Sequence, residues 1–317
     1  MAMGTRKKRE RQEDLWVSVG PLDSTCSDLG AAAGTRGLGL RRFEIAPGKR
    51  STPAHTHSGE EEIFYVLAGS GLSWQASATH RVETGDCLVH LIRGPAHTLI
   101  AGPEGLDVLA FGERAATEAC YLPRAQVAWV GASWVKAGES EHPFAQEAAV
   151  GDIEMPDPSP RPSTIVRTAD VASSGWEHGD SVCSRRELGA AAGAQRTALR
   201  RFDLPVGKIG AAPHCHSGCE ELFVVLAGSG AYLDQAAGAV GWQPREHPVR
   251  RGDVVSVPAG TGIAHAFRGG PDGLTFLAYG NRDTDDVTWY PRSQKIAFLS
   301  LGVMGRFERA AYWDGEE

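Results

Sequence analysis

Two histidines one residue apart, followed five positions later by a glutamate, occur twice in this chain: His55, His57 and Glu62, then His214, His216 and Glu221. In an extended strand, residues two apart point to the same face. Each pair therefore sends two imidazoles in one direction. The glutamate follows a Ser-Gly turn and opens the next strand, which brings a carboxylate close to the imidazoles. A third histidine, His97 in the first set and His265 in the second, lies on a later strand after a Gly-Asp turn and a Gly- or Pro-rich bend. Three neutral imidazoles and one carboxylate suit a divalent transition metal, whether Fe, Mn, Ni, Cu, Co or Zn. Four protein ligands leave up to two positions on an octahedral ion for substrate oxygens or dioxygen. A ligating Glu62 or Glu221 can also act as a base toward such a substrate. Six of the eleven histidines fall into these two sets.

The elements that must position these residues are themselves repeated. LGAAAG occurs at Leu29–Gly34 and Leu188–Gly193, RRFEIAPGK at Arg41 returns as RRFDLPVGK at Arg200, and HTHSGEEEIFYVLAGSG at His55 as HCHSGCEELFVVLAGSG at His214, all at an offset of 159. Farther on, GPEGLDVLAFGER at Gly102 matches GPDGLTFLAYGNR at Gly270 at an offset of 168. The chain is a duplication, and the longer loop of the second copy lies between Gly230 and His265. Short runs rich in Val, Ile, Leu, Phe and Tyr alternate with turns such as AGSG, ETGD and GPEG, which predicts antiparallel β-structure in each half. LWVSV (Leu15–Val19) and TIVRT (Thr164–Thr168) read as the opening strand of each half. Helical periodicity is weak outside Ala115–Ala137 and the C-terminus. Five prolines within residues 143–162 favour an extended connection between the copies.

Composition bounds the rest. The 317 residues carry 32 basic and 39 acidic side chains, a net charge of -7 that argues against nucleic acid as the partner. The 14 residues before the first strand leave no room for a helix-turn-helix. No run approaches the 18 apolar residues of a membrane span, and the charged N-terminus lacks the apolar stretch of a signal peptide. Six irregularly spaced cysteines in a chain large enough to build a core point to a reducing, cytoplasmic setting. Cys215 sits between two histidines and faces away from them, Cys219 approaches the site, and His80 and His247 read as structural.

The motifs resemble those of the cupin superfamily, G-x5-H-x-H-x3-4-E-x6-G and G-x5-P-x-G-x2-H. Gly48, His55, His57, Glu62 and Gly69 match the first motif, as do Gly207, His214, His216, Glu221 and Gly228, each with one extra residue before the first histidine. The step from glutamate to glycine selects Glu62 over Glu60 and Glu61, and Glu221 over Glu220. The second motif starts at Gly85 and Gly252. It keeps Pro258 and Gly260 in the second copy, with two extra residues before His265. In the first copy Leu91 and Arg93 replace that Pro and Gly, and His97 comes one residue late. The resemblance implies a bicupin: an all-β chain of two double-stranded β-helix, jelly-roll-like barrels in tandem with short helical segments. It places a charged flexible tail at 1–14, cupin domains at 15–136 and 164–317, and a Pro-rich linker at 137–163. It also implies one divalent transition metal per domain.

Bicupins with this ligand set include oxalate decarboxylases and quercetin-type dioxygenases. The Ser-Glu-Asn-Ser lid of the former is missing; the chain has a single Asn, Asn281. Strand alternation puts Phe64, Val66 and Leu99, and Phe223, Val225 and Phe267, on the ligand face, so Phe64, Leu99, Phe223 and Phe267 are expected to line a partly apolar substrate pocket. Arg93, four residues before His97, is placed to pair with a substrate carboxylate. The expected function is that of a metal-dependent dioxygenase acting on a small molecule that chelates through oxygen. A decarboxylase, lyase or isomerase is the alternative, and a non-catalytic binding or sensing protein the third class. Homo-oligomerisation is left open.

Overall fold

The computed structural model describes residues 15–130, 133–136, 143–239, 241–308, 310 and 312–316. The expected tail at 1–14 lies outside the described residues. The first copy contributes strands β1 (Leu15–Val19), β2 (Leu22–Asp28), β3 (Leu38–Ile45), β4 (Thr56–His57), β5 (Glu62–Gln75) and β6 (Ala78–Glu83). It continues with β7 (Asp86–His90), β8 (His97–Glu113), β9 (Ala119–Leu122), β10 (Val127–Val130) and β11 (Ser133–Lys136). A short helix, Pro143–Ala149, and β12 (Ile165–Arg167) precede the second copy. There follow β13 (Ser174–His178), β14 (Ser181–Arg186), β15 (Thr197–Leu204), β16 (Cys215–His216), β17 (Glu221–Ala236) and β18 (Arg245–Arg250). The last strands are β19 (Val254–Val257), β20 (Ile263–Asn281), β21 (Val287–Tyr290), β22 (Lys295–Phe298) and β23 (Val303–Arg306).

Each copy folds a large antiparallel sheet against a small one. The first large sheet runs β1-β2-β3-β8-β5-β7-β12 with β6 on β5, and its small sheet runs β4-β9-β10-β11. The second copy repeats this as β13-β14-β15-β20-β17-β18 with β19 on β17, and as β16-β21-β22-β23. The motif glycine at the centre of each long strand is there for steric reasons. A Cβ on Gly69, at φ +84, would lie 2.3 Å from the Gly105 carbonyl oxygen; on Gly228 the corresponding approach is 2.2 Å, to Gly273. Only glycine lets the two strands cross that closely.

The largest apolar cores among the described residues follow from this arrangement. Phe43, Phe64, Val66, Leu88, Leu99 and Val108 fill the first barrel, and Phe223, Val225, Tyr232, Phe267 and Phe276 the second. A third core lies between the copies, where Leu40, Ile63, Tyr65, Val89 and Phe111 meet Leu188, Leu199, Leu222, Leu277 and Tyr279. Crossed carboxylates reinforce it. Glu61 accepts from the backbone of Gln195 (2.7 Å) and from the backbone and hydroxyl of Thr197 (3.0 and 2.5 Å). Glu220 accepts from the backbone of Arg36, Gly37 and Leu38 at 2.8, 2.6 and 3.2 Å.

Three sequence expectations change. Ala115–Ala137, read as the more helical stretch, forms β9 to β11, because Val127, Trp129 and Val130 pair across strands better than they would line a helix. The C-terminal region likewise holds β21 to β23 and one 3-10 turn, Leu299–Leu301. Thr164–Thr168 does not open the second half: β12 pairs with β7 of the first copy, Ile165 opposite Leu88 and Arg167 opposite Asp86, and β13 opens the second sheet. The Pro-rich segment, accordingly, is laid along the first barrel. Trp74 Nε1 donates to the Glu154 carbonyl, Thr79 Oγ1 to Pro156 and His80 Nδ1 to Pro160, while Arg161 clamps Asp86 at 2.8 and 2.7 Å. Among the described residues, no helix is long and apolar enough to cross a membrane.

Candidate metal centres

Backbone pairing brings the histidines of each set together. His55 and His97 exchange backbone hydrogen bonds (3.1 and 2.9 Å) in an isolated antiparallel bridge, and His214 and His265 do the same (3.2 and 2.9 Å). The register also sets the glutamates, which start β5 and β17 and point into the barrels. In the first copy the Nε2 atoms of His55, His57 and His97 lie 3.7, 3.5 and 3.0 Å from Glu62 Oε2. In the second, His214, His216 and His265 lie 3.9, 3.4 and 3.0 Å from Glu221 Oε2. All eight residues expected from the sequence therefore converge as two sets of four.

The opposite ring nitrogens of five of the six histidines are tied down; His265 Nδ1 is buried without a partner among the described residues. His55 Nδ1 donates to the Pro53 carbonyl at 2.9 Å, His97 Nδ1 to Pro95 at 3.2 Å and His214 Nδ1 to Ala212 at 2.8 Å. His57 Nδ1 faces Glu118 Oε1 at 2.9 Å, and His216 Nδ1 faces Asp286 Oδ2 at 2.6 Å. Each of these partners fixes a tautomer that presents Nε2 to the centre. Glu118 and Asp286 are the residues that motif reasoning missed. They stand at matching places in the repeat, 168 apart, and that coincidence was the available signal.

The charge states follow. Burial pushes the His97 and His214 imidazoles down to about 4, His265 adding to the effect on His214. Burial works against the His57 cation too, yet Glu118 and Glu62 lift it to about 10. His216 is raised against its burial by Asp286 and Glu221. The Glu62 and Glu221 carboxyls would be neutral on burial alone, but their imidazole neighbours hold both well below the usual carboxylate range. Glu60 moves the other way: burial and the nearby Glu118 raise it to about 7.

These residues fit a divalent metal ion. The buried Nε2 atoms of His57 and His265 and the Oε2 of Glu221 have no well-formed hydrogen bond among the described residues. Two of these, His265 Nε2 and Glu221 Oε2, lie 3.0 Å apart in the second centre, and buried polar atoms left unpaired in this way are suited to coordinate a cation. His55, His57, Glu62 and His97 place their donor atoms within 4.8 Å of one another, as do His214, Glu221 and His265. His216 Nε2 joins the second set, while its Nδ1 side groups with Cys219 and Asp286.

The remaining expected residues take different places. Phe64 stands edge-on to His97 (6.1 Å) and Phe223 lies 5.6 Å from His265, forming an apolar floor under each centre. Leu99 and Phe267 are 1% and 3% exposed within the barrel cores. Arg93 sits on an exposed turn at φ +56, its backbone N–H held by the His57 carbonyl at 2.8 Å. Gly260 makes the same contact to His216 at 3.0 Å, so an arginine occupies a left-handed position that the other copy fills with glycine. Cys215 and Cys219 are buried or half-buried thiols. Burial raises both, Cys219 to about 11.

The family profile described as "Cupin domain" matches residues 41–99, which span the first His-x-His pair, Glu62 and His97. No curated protein sequence is similar to the chain. Among solved structures, Bacillus subtilis oxalate decarboxylase, in a study of its Mn(II) centres, superposes with a TM-score of 0.57 at 14% identity. That match covers 87% of this chain and 77% of the decarboxylase. Vicilin from hazelnut, Corylus avellana, superposes at 0.56 and 14% identity over 91% of this chain and 88% of its own. At these identities the likeness is one of fold.

Proposed function

Taking the chain as what its fold makes it, a bicupin of the cupin superfamily, we propose that it is a metal-dependent enzyme with one divalent transition metal per barrel. Its substrate is a small, partly apolar molecule that chelates through oxygen atoms, and dioxygen is the co-substrate. One observation carries the reading: in each barrel three histidine Nε2 atoms converge on a single carboxylate oxygen, that of Glu62 in the first and of Glu221 in the second. A bound ion would supply Lewis acidity toward the chelating oxygens and, if redox-active, electrons to dioxygen.

The chain's own residues then do the rest. His55, His57, His97 and Glu62 hold the first ion, and His214, His216, His265 and Glu221 the second. Phe64 and Phe223 present the apolar surface against which a carbon skeleton packs and from which water is excluded. Glu62 and Glu221 are the carboxylates that would accept a substrate proton. Arg93, on the exposed turn whose backbone N–H meets the His57 carbonyl, would pair with an anionic substrate group. The reducing, cytoplasmic setting suggested by the cysteines belongs to the same proposal.

The test is direct. Metal analysis of the purified protein is expected to give close to two ions per chain. Oxygen uptake is then followed with Fe(II), Mn(II), Ni(II) or Cu(II) protein on a panel of enolic and catecholic compounds. Glu62→Gln and Glu221→Gln should lower turnover without unfolding the chain. Full activity in both variants and in their double would remove the glutamates from the reaction. Decarboxylation is the second reading, favoured by Arg93 as a partner for a carboxylate; it predicts carbon dioxide release without oxygen uptake.

A further inference from the structure

The two barrels place different side chains beside matching donor sets. In the strand register His90 stands opposite Glu62, and Val257 stands opposite Glu221. Directly opposed residues share a face, so His90 points into the barrel beside the first centre. It is 6% exposed, and its ring lies flat on that of His97, with centroids 3.7 Å apart and planes 7° from parallel. Phe64 meets it edge-on at 5.4 Å. Its Nε2 is buried without a hydrogen-bond partner among the described residues. Burying a polar nitrogen unpaired costs stability, and Val257 demonstrates that the same fold position accepts an aliphatic side chain. His90 is not one of the four residues whose donor atoms cluster within 4.8 Å. A ligand role is therefore not what retains it.

We propose that His90, with its proton on Nε2, donates a hydrogen bond to the small anionic ligand that completes the first centre, so that the first barrel is the one specialised for anions. The inference rests on the reading that both four-residue sets hold a metal. It makes His90 a specificity-determining residue, distinct from the ligands, and Val257 the reason that the second centre lacks this preference.

The experiment uses the full chain loaded with Co(II) and titrated with sodium azide, read by visible absorption. The first centre is isolated in a Glu221→Ala, His265→Ala background and the second in a Glu62→Ala, His97→Ala background. Azide is expected to bind the first centre about tenfold more tightly, the size of one modest hydrogen bond. His90→Phe keeps an aromatic ring against His97 but has no donor, so it should erase the difference, as should His90→Val. His90→Gln restores a donor and should recover most of it. Val257→His should raise the affinity of the second centre. Cobalt stoichiometry is expected to stay unchanged in the His90 variants. Equal azide affinity at the two parent centres would overturn the proposal. So would His90→Phe binding azide like the parent, or loss of cobalt from the His90 variants. Failure of the underlying metal reading is separately visible, because equilibrium dialysis would then show no cobalt bound before any azide is added.

Discussion

His57 has a carboxylate on each ring nitrogen, Glu118 at 2.9 Å and Glu62 at 3.5 Å, and in the metal-free chain this holds its imidazole up to about 10. At pH 7 it is therefore a cation, whereas His97, pushed down by burial to about 4, is already neutral. A metal can take only the neutral imidazole, so loading the first centre must expel the His57 proton. Calorimetry at pH 7 in two buffers of different ionisation enthalpy should report about one proton released per ion bound there, and affinity should fall as the pH is lowered. The stability linkage has its own sign. A folded pKa raised from 6.5 to about 10 stabilises the metal-free protein below pH 6.5, and that contribution disappears as the pH rises toward 10. Glu118→Ala leaves Nδ1 unpaired and should weaken first-centre metal affinity about 10- to 100-fold; Asp286→Ala should do the same at the second. Equilibrium dialysis measures both. The two converging sets of three histidines and a glutamate were legible because their spacing is short-range and occurs twice. Glu118 and Asp286 were harder to see, since they lie 61 and 70 residues from their histidines and join them only through the fold. His90 had no counterpart in the second copy to mark it.

The elements show what periodicity can and cannot convey. Strands β5, β7 and β8 were visible as apolar runs because they are buried on both faces by a barrel and by the core between the copies. Ala115–Ala137 misled because its alanines favour a helix, while its role is to close the small sheet through β9 and β4. The prolines anticipate residues 151–162, which are neither helix nor strand, but not the helix at Pro143–Ala149 within the expected linker, and nothing local said that the segment would lie against the first barrel. Its anchor is Asp86, whose side chain is fully buried and receives two hydrogen bonds from Arg161 and one from the backbone of Glu83. Arg161→Ala would leave that carboxylate without its fork, and burial already raises its pKa. The expected cost is about 3 kcal/mol, because removing one partner strands a buried charge. A denaturant midpoint shift, with metal content unchanged, is the predicted signature. A near-neutral effect would mean that Arg167, 3.9 Å away, takes over the pairing.

At the scale of the molecule, the duplication predicts two barrels but not how far each depends on the other. The core between them draws its largest side chains from both copies: Phe111 packs 5.0 Å from Tyr279, and both are buried completely or nearly so. Glu61 and Glu220 cross this boundary, and each stands immediately before the glutamate that opens a long strand, Glu62 of β5 and Glu221 of β17. The residue that grasps the other copy is thus the immediate neighbour of the carboxylate presented to each candidate centre. Two consequences follow from that geometry. Thermal or denaturant unfolding should be a single cooperative transition, coincident by fluorescence and circular dichroism, in place of two steps. Glu220→Ala, which strips three backbone N–H groups of their acceptor, should lower the whole transition by about 3 kcal/mol. Metal then supplies the decisive comparison. In a chain whose second centre is disabled by His214→Ala and His216→Ala, free metal at 100 times the first centre's dissociation constant should add about 2.7 kcal/mol. If the shared core couples the copies, probes in both halves will gain that stability together. If the second half keeps its metal-free midpoint while the first moves, the copies fold as independent units and the crossed glutamates only dock them.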